Sequence, residues 1–178
     1  MVALCLTTAL GACGGGDGKS AGTTTTAPAT STTLAARVLP RLPAVFVPVG
    51  GYAFFELPDS AMATLRDQFA SNETVAAADG RSVKRNDVPV AVIIAIGFDA
   101  RAAAVPGVEQ AFVDQATATA VTKRQLTLSG EDAVVGTDAQ GTDTIVWLKG
   151  ALALVIVGRH DDEDTLVELA TALVTANA

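Results

Sequence analysis

Apolar positions along this chain alternate between a helical and an extended period. Met62, Leu65 and Phe69 recur at helical spacing after Pro58, with Asp59-Ser60 as a capping pair, and predict a helix running to Asn72. Pro106 suits a first helical position, and Val108, Ala111, Phe112 and Gln115 follow at the same spacing. The third helical pattern is the clearest. Acids stack from Asp161 to Asp164, and Leu166, Leu169, Ala170, Leu173 and Val174 then mark one apolar face.

Extended segments lie between these helices: Tyr52 to Leu57, Arg81 to Arg85, Val90 to Phe98, Thr122 to Leu128, Ala133 to Thr137, Asp143 to Leu148 and Leu152 to Val157. Asn86-Asp87, Ser129-Gly130-Glu131, Asp138 to Gly141 and Lys149-Gly150 punctuate them. Such short turns join antiparallel neighbours, whereas parallel strands need crossovers of about a dozen residues or more. Val90 to Ile96 and Leu152 to Val157 are apolar at nearly every position, the mark of central strands. In Thr122 to Leu128, Lys123, Gln125 and Thr127 alternate with apolar neighbours, the mark of a less buried strand. The order β-α-β-β-α-β-β-β-β-α predicts an α+β fold. It is a two-layer sandwich of a mostly antiparallel sheet, about six to seven strands, with three helices gathered on one side. An exposed sheet face, or a groove at its edge, is then the natural place for a partner.

Outside this pattern lies the N-terminal part. Val2 to Leu10 is apolar and uncharged, and is too short for a membrane span of roughly 20 residues. It ends in Leu10-Gly11-Ala12-Cys13, which resembles the lipobox of bacterial lipoproteins. No Lys or Arg precedes the apolar run, which departs from the usual leader and suggests a start upstream of Met1. The resemblance implies removal of residues 1–12 as a signal peptide. Cys13 would then carry diacylglycerol through a thioether and become the first mature residue. Each buried methylene adds about 0.8 kcal/mol of membrane affinity, and two or three acyl chains, palmitate among them, would hold the protein almost permanently. Cys5 would leave with the leader, so no intramolecular disulfide is expected.

Residues 13–33 are rich in Gly, Thr, Ser, Ala and Pro and read as a tether, with too little apolar content to offset the entropy of ordering. The Thr-rich part is also a candidate for O-glycosylation. Cys13 to Ser20 falls one residue short of the phosphate-loop pattern G-x-x-x-x-G-K-[ST]. That loop joins a strand to a helix, and here a Thr run follows, so nucleotide binding is not expected. Residues 34–178 read as a single domain, long enough to bury one core. The mean hydropathy of +0.39 reflects abundant Ala and Val. The longest apolar run, Val88 to Phe98, is too short to span a membrane.

The inventory of reactive side chains is thin. His160 is the one histidine and sits directly before the acids Asp161 to Asp164. Imidazole and carboxylates are ligand types for divalent ions, but consecutive residues on one turn point in different directions. The acids read instead as partners of the helix dipole, with Asp161 as the cap. A Ser-His-acid triad would have to pass through His160, no serine stands in G-x-S-x-G, and Ser129 is explained by its turn. Glu131 and Asp132 read as solvated turn acids, and Asn72-Glu73-Thr74 as a sequon that a bacterial lipoprotein would not use. Trp147 reads as a core anchor, and alternation sets Tyr52 and Phe54 on one face with Phe55 on the other. The net charge of −7 and scattered basic residues argue against nucleic acid. The pairs Lys84-Arg85 and Lys123-Arg124 fall on strands that could lie close together.

The composition, rich in Ala, Thr and Val and poor in Lys, resembles small lipoproteins of high-GC, actinobacterial species. The expectation is a non-enzymatic lipoprotein on the outer face of the cell membrane, with Cys13 as its lipid-attachment residue. No catalytic residue, cofactor or metal is expected. Its domain would be a binding or structural module for an envelope protein or other component. A carrier of lipid or another apolar ligand is the alternative, and a hydrolase is more distant.

Overall fold

Each extended segment of the sequence becomes a strand, and turn chemistry fixes how the strands meet. In the computed structural model, which describes residues 37–178, these are β1 (Ala53–Glu56), β2 (Val75–Arg85), β3 (Val88–Phe98), β4 (Ala120–Leu128), β5 (Glu131–Asp138), β6 (Thr142–Lys149) and β7 (Leu152–Arg159). They form one sheet in the order β1-β2-β3-β7-β6-β5-β4, antiparallel throughout. Two meanders, β1-β2-β3 and β4-β5-β6-β7, therefore meet where β7 pairs with β3. Those are the two strands whose unbroken apolar character predicts a central position. Asn86 and Asp87 close the β2–β3 hairpin with φ of 51° and 63°, the two positive values that a tight hairpin turn needs.

The longer helices are α1 (Asp59–Ala70), α3 (Val108–Ala116) and α4 (Glu163–Asn177), with a single turn, α2 (Ala100–Ala103), before α3. The α+β class, the seven antiparallel strands and the three longer helices agree with the sequence pattern. Several helix starts differ from it. Pro58 is the N-cap of α1, and neither Asp59 nor Ser60 makes a side-chain cap. Gly107, at φ 87°, is the N-cap of α3, so Pro106 stands outside that helix. Asp161 lies in a 3₁₀ turn, His160–Asp162, that precedes α4, and it pairs with Arg159 rather than capping.

Helical cover is shared between the two faces of the sheet. On one face Ile93, Ala95, Ile145, Trp147, Leu154 and Ile156 pack against Leu166, Leu169, Ala170, Leu173 and Val174 of α4. On the other, Ile94, Ile96, Val146, Ala153 and Val155 pack with Met62, Leu65 and Phe69 of α1 and with Phe112, Val113 and Ala116 of α3. The expectation of helices on one side gives way here, because β3 and β7 are apolar on both faces and each face needs cover. Each fully buried Leu or Val side chain contributes roughly 1.5–3 kcal/mol, so α4 is fixed mainly by packing. The chain before β1 adds to both clusters, with Leu39 on the α1 face and Val45 on the α4 face. The described residues Arg37–Ala178 form one compact unit. No helix among them is long and apolar enough to cross a membrane.

Candidate functional site

With helices on both faces, open space survives near the β4 edge. There α3 leaves a groove of about 250 Å³ over β4, β5 and β6. Val113 of α3, Val134 of β5, and Val146 and Leu148 of β6 give it an apolar floor. Glu109, Gln110, Gln125 and Asp132 supply polar groups around it. The groove is shallow and open. It suits an apolar side chain flanked by amide or cationic groups, since its own charged residues are both acids. Beside it, β4 is the terminal strand of the sheet, and most of its residues are exposed.

A second polar place lies on the opposite face, where β4 to β7 end beneath the start of α4. Asp143 of β6 is wholly buried, and its carboxylate accepts a 2.7 Å hydrogen bond from Thr137 Oγ1. His160 directs Nδ1 at the same carboxylate, 2.9 Å from Oδ2 and 3.1 Å from Oδ1. The backbone amide of His160 donates to Gly141 O at 2.8 Å, fixing where the ring starts. Glu163, one turn along, brings Oε2 to 3.6 Å from the same nitrogen and also pairs with Arg124 of β4. A buried carboxylate that orients an imidazole is an arrangement used for proton transfer or for metal ligation. One acidic or nitrogen ligand atom from each of Asp143, His160 and Glu163 lies within 4.8 Å of the others.

Compared with models of known protein families, with characterised proteins and with solved structures, the chain matches none. The site is therefore read from its own geometry.

A third polar centre serves structure. Asp79 of β2 is wholly buried and accepts from Arg81 Nη1 at 2.7 Å, Gly80 N at 2.9 Å, Leu42 N at 3.1 Å and Arg41 Nε at 3.4 Å. Arg41 reaches on to Glu56 at 2.8 Å. That hydrogen bond first, and then the charge of Asp79, raise the Arg41 guanidinium above its ordinary range. The Arg81 guanidinium stacks 4.7 Å over the ring of Phe46. This network ties the chain before β1 to the second strand.

The residues singled out in the sequence fall as follows. Cys13, the leader and the tether lie outside the described residues. Trp147 is 1% exposed in the core below α4, and its Nε1 finds no acceptor among the described residues. Tyr52 and Phe54 pack inward, while Phe55 stays 43% exposed under Lys84 Nζ. Ser129 sits in its turn at φ 51° and bonds to Thr175, away from His160. Glu131 pairs with Lys149, and Asp132 reaches the groove. Asn72 accepts from the Thr74 amide and hydroxyl at the end of α1. The two basic pairs do not come together, because β2 and β4 lie toward opposite ends of the sheet. Arg85 is taken by Glu168, Lys123 by Asp114 and Arg124 by Glu163, which leaves these pairs no clustered positive footprint.

Sequence reasoning missed Asp79, Asp143 as a partner of His160, and Glu109 with Gln110 beside a groove. One signal was present for the first: Asp79 and Arg81 stand two apart, on one face of a strand, before Val83.

Proposed function

We propose that this chain is a lipoprotein anchored through Cys13 on the outer face of a cell membrane. It carries a non-enzymatic binding or structural module that meets an envelope protein or other envelope component at the groove between α3 and strands β4 to β6. The anchor rests on Leu10-Gly11-Ala12-Cys13 and the low-complexity segment after it. The observation supporting a contact site is the groove itself, an apolar floor ringed by Glu109, Gln110, Gln125 and Asp132 at a sheet edge. A lipid carrier stands second. Cavities that enclose a small molecule usually run to about 300–1,000 Å³ and surround most of it, more than this open groove offers.

Two experiments test the parts separately. Labelled palmitate is fed to cells making the full chain, and label is expected on the wild type but not on Cys13→Ser. An unlabelled wild type overturns the anchor. For the module, a photo-crosslinker placed at Gln125 is expected to form a discrete adduct in intact cells. Val134→Glu should abolish that adduct, and the same crosslinker at exposed Arg159 should not form it. Identical products at both positions overturn the groove as the contact site.

A further inference from the structure

His160 and its acidic neighbours form a ligand set that only the tertiary fold assembles. The three groups come from three places: Asp143 from β6, His160 from the 3₁₀ turn, and Glu163 from the first residue of α4. Zinc binds nitrogen and carboxylate oxygen at about 2.0–2.2 Å, so two ligands in tetrahedral geometry stand about 3.4 Å apart. Nδ1 of His160 lies 2.9 Å from Asp143 Oδ2 and 3.6 Å from Glu163 Oε2, which brackets that spacing. We propose that Asp143, His160 and Glu163 form a three-ligand site for a divalent transition ion, with Zn²⁺ the favoured occupant.

Independent features of the surroundings support a ligand here. Asp143 is wholly buried, yet among the described residues its carboxylate has only the Thr137 hydroxyl and His160 Nδ1 as side-chain partners, and an ion on Nδ1 takes the place of any proton there. The other wholly buried carboxylate, Asp79, has two guanidinium groups and two backbone amides around it. A carboxylate has room for about four hydrogen bonds, so Asp143 keeps lone pairs for a cation. Thr137 holds it from behind, the kind of outer support that orients a metal-binding carboxylate. His160 has a side chain 50% exposed, which leaves water free to complete the coordination. One imidazole with two carboxylates is a borderline donor set. The affinity order of divalent ions places Zn²⁺ well above Mn²⁺ though below Cu²⁺, three protein ligands completed by water is a zinc arrangement, and Ca²⁺ and Mg²⁺ prefer all-oxygen shells.

Arg124 pairs with Oε1 of Glu163, the oxygen turned away from His160. That leaves Oε2 for the ion, but the guanidinium charge beside the site opposes a cation there. Thr137 is therefore expected to strengthen the site and Arg124 to weaken it.

The test uses the full chain with Cys5→Ser and Cys13→Ser, which removes thiolate competition. His160 is the one histidine, so its imidazole ¹⁵N signals report on a single ring. On addition of Zn²⁺ alone, the Nδ1 signal is expected to move far more than Nε2. His160→Gln and Glu163→Gln change partly exposed residues and should remain folded. Each should lose affinity beyond the roughly 10–100-fold typical of an outer-shell change, with Thr137→Val falling within that range. Arg124→Gln should bind more tightly than the parent. Imidazole signals unmoved by Zn²⁺, or an affinity unchanged in both ligand variants, overturn the site. An unchanged or lowered affinity in Arg124→Gln also counts against it.

Discussion

Asp79 is a buried charge made tolerable by its neighbours. Its two oxygens face Arg81, Arg41 and two backbone amides, and Arg81 is itself nearly buried. Removing one partner of such a pair leaves the other charge desolvated and alone, which costs about 3–5 kcal/mol. Asp79→Ala is expected to lower stability by that amount in urea unfolding. The same substitution at half-buried Asp138, which holds only its own turn amides, should cost less. Tyr52 offers a second residue-scale measurement. Burial first, and then the charge of Glu168, raise its phenol above the ordinary value of 10.0, against the opposing Arg85. It is the one tyrosine, so the phenolate absorbance of the native protein should titrate with a midpoint above 10.0. Glu168→Gln should bring that midpoint down. The sign of the linkage follows: the unfolded chain loses this proton first. Tyr52 therefore leaves stability unchanged below pH 10.0 and lowers it as pH rises from there through the folded value.

At the scale of elements, α4 and the strand before it are fitted through one glycine. A Cβ on Gly158 of β7 would lie 2.7 Å from the carbonyl oxygen of Val90 and would collide with the Leu166 side chain. Leu166 belongs to the buried face of α4, so the helix can approach β7 closely only where the strand has no side chain. Gly158→Ala is expected to destabilise by about 1–3 kcal/mol, the usual cost of overpacking a core. Thermal unfolding measures the loss. The double variant with Leu166→Ala relieves one of the two clashes and should lose less than the two single changes added together. The apolar stripe of α4 was fully legible in the sequence, residue by residue. Its start was not, because acids in a row fit a helix N-terminus equally well whether they cap it, pair with Arg159 or turn toward a distant strand. The first half of β2 was missed for a related reason. Ala76 to Gly80 has no alternation to mark a strand, and pairing with β3 imposes the extended form.

For the whole molecule, β3 and β7 bind the two halves together. Every strand between β2 and β6 has neighbours on both sides, and these central strands contribute side chains to both apolar clusters. Opening one face therefore exposes the backs of residues that support the other. A single cooperative transition is expected over residues 37–178, with Trp147 emission and far-ultraviolet circular dichroism coinciding along the urea curve. Trp147 is the one tryptophan and lies buried beneath α4, so its native emission should be blue-shifted and move to the red on unfolding. Two separated transitions would show that the faces unfold independently.

The antiparallel strands, the central place of the two all-apolar ones and the inward face of α4 were legible in the chain alone. Each follows from local periodicity or turn chemistry, which neighbours in the chain carry between them. The sequence also supplied the lipobox expectation at Cys13, on residues beyond those described. How the helices divide between the two faces is settled by the folded chain, since that depends on where the crossing segment between β3 and β4 runs. Only folding brought Asp143 to His160 across 17 residues, Arg124 to Glu163, and α3 over β4 to β6 to leave a groove. These are contacts between side chains far apart in sequence, and no spacing along the chain records them.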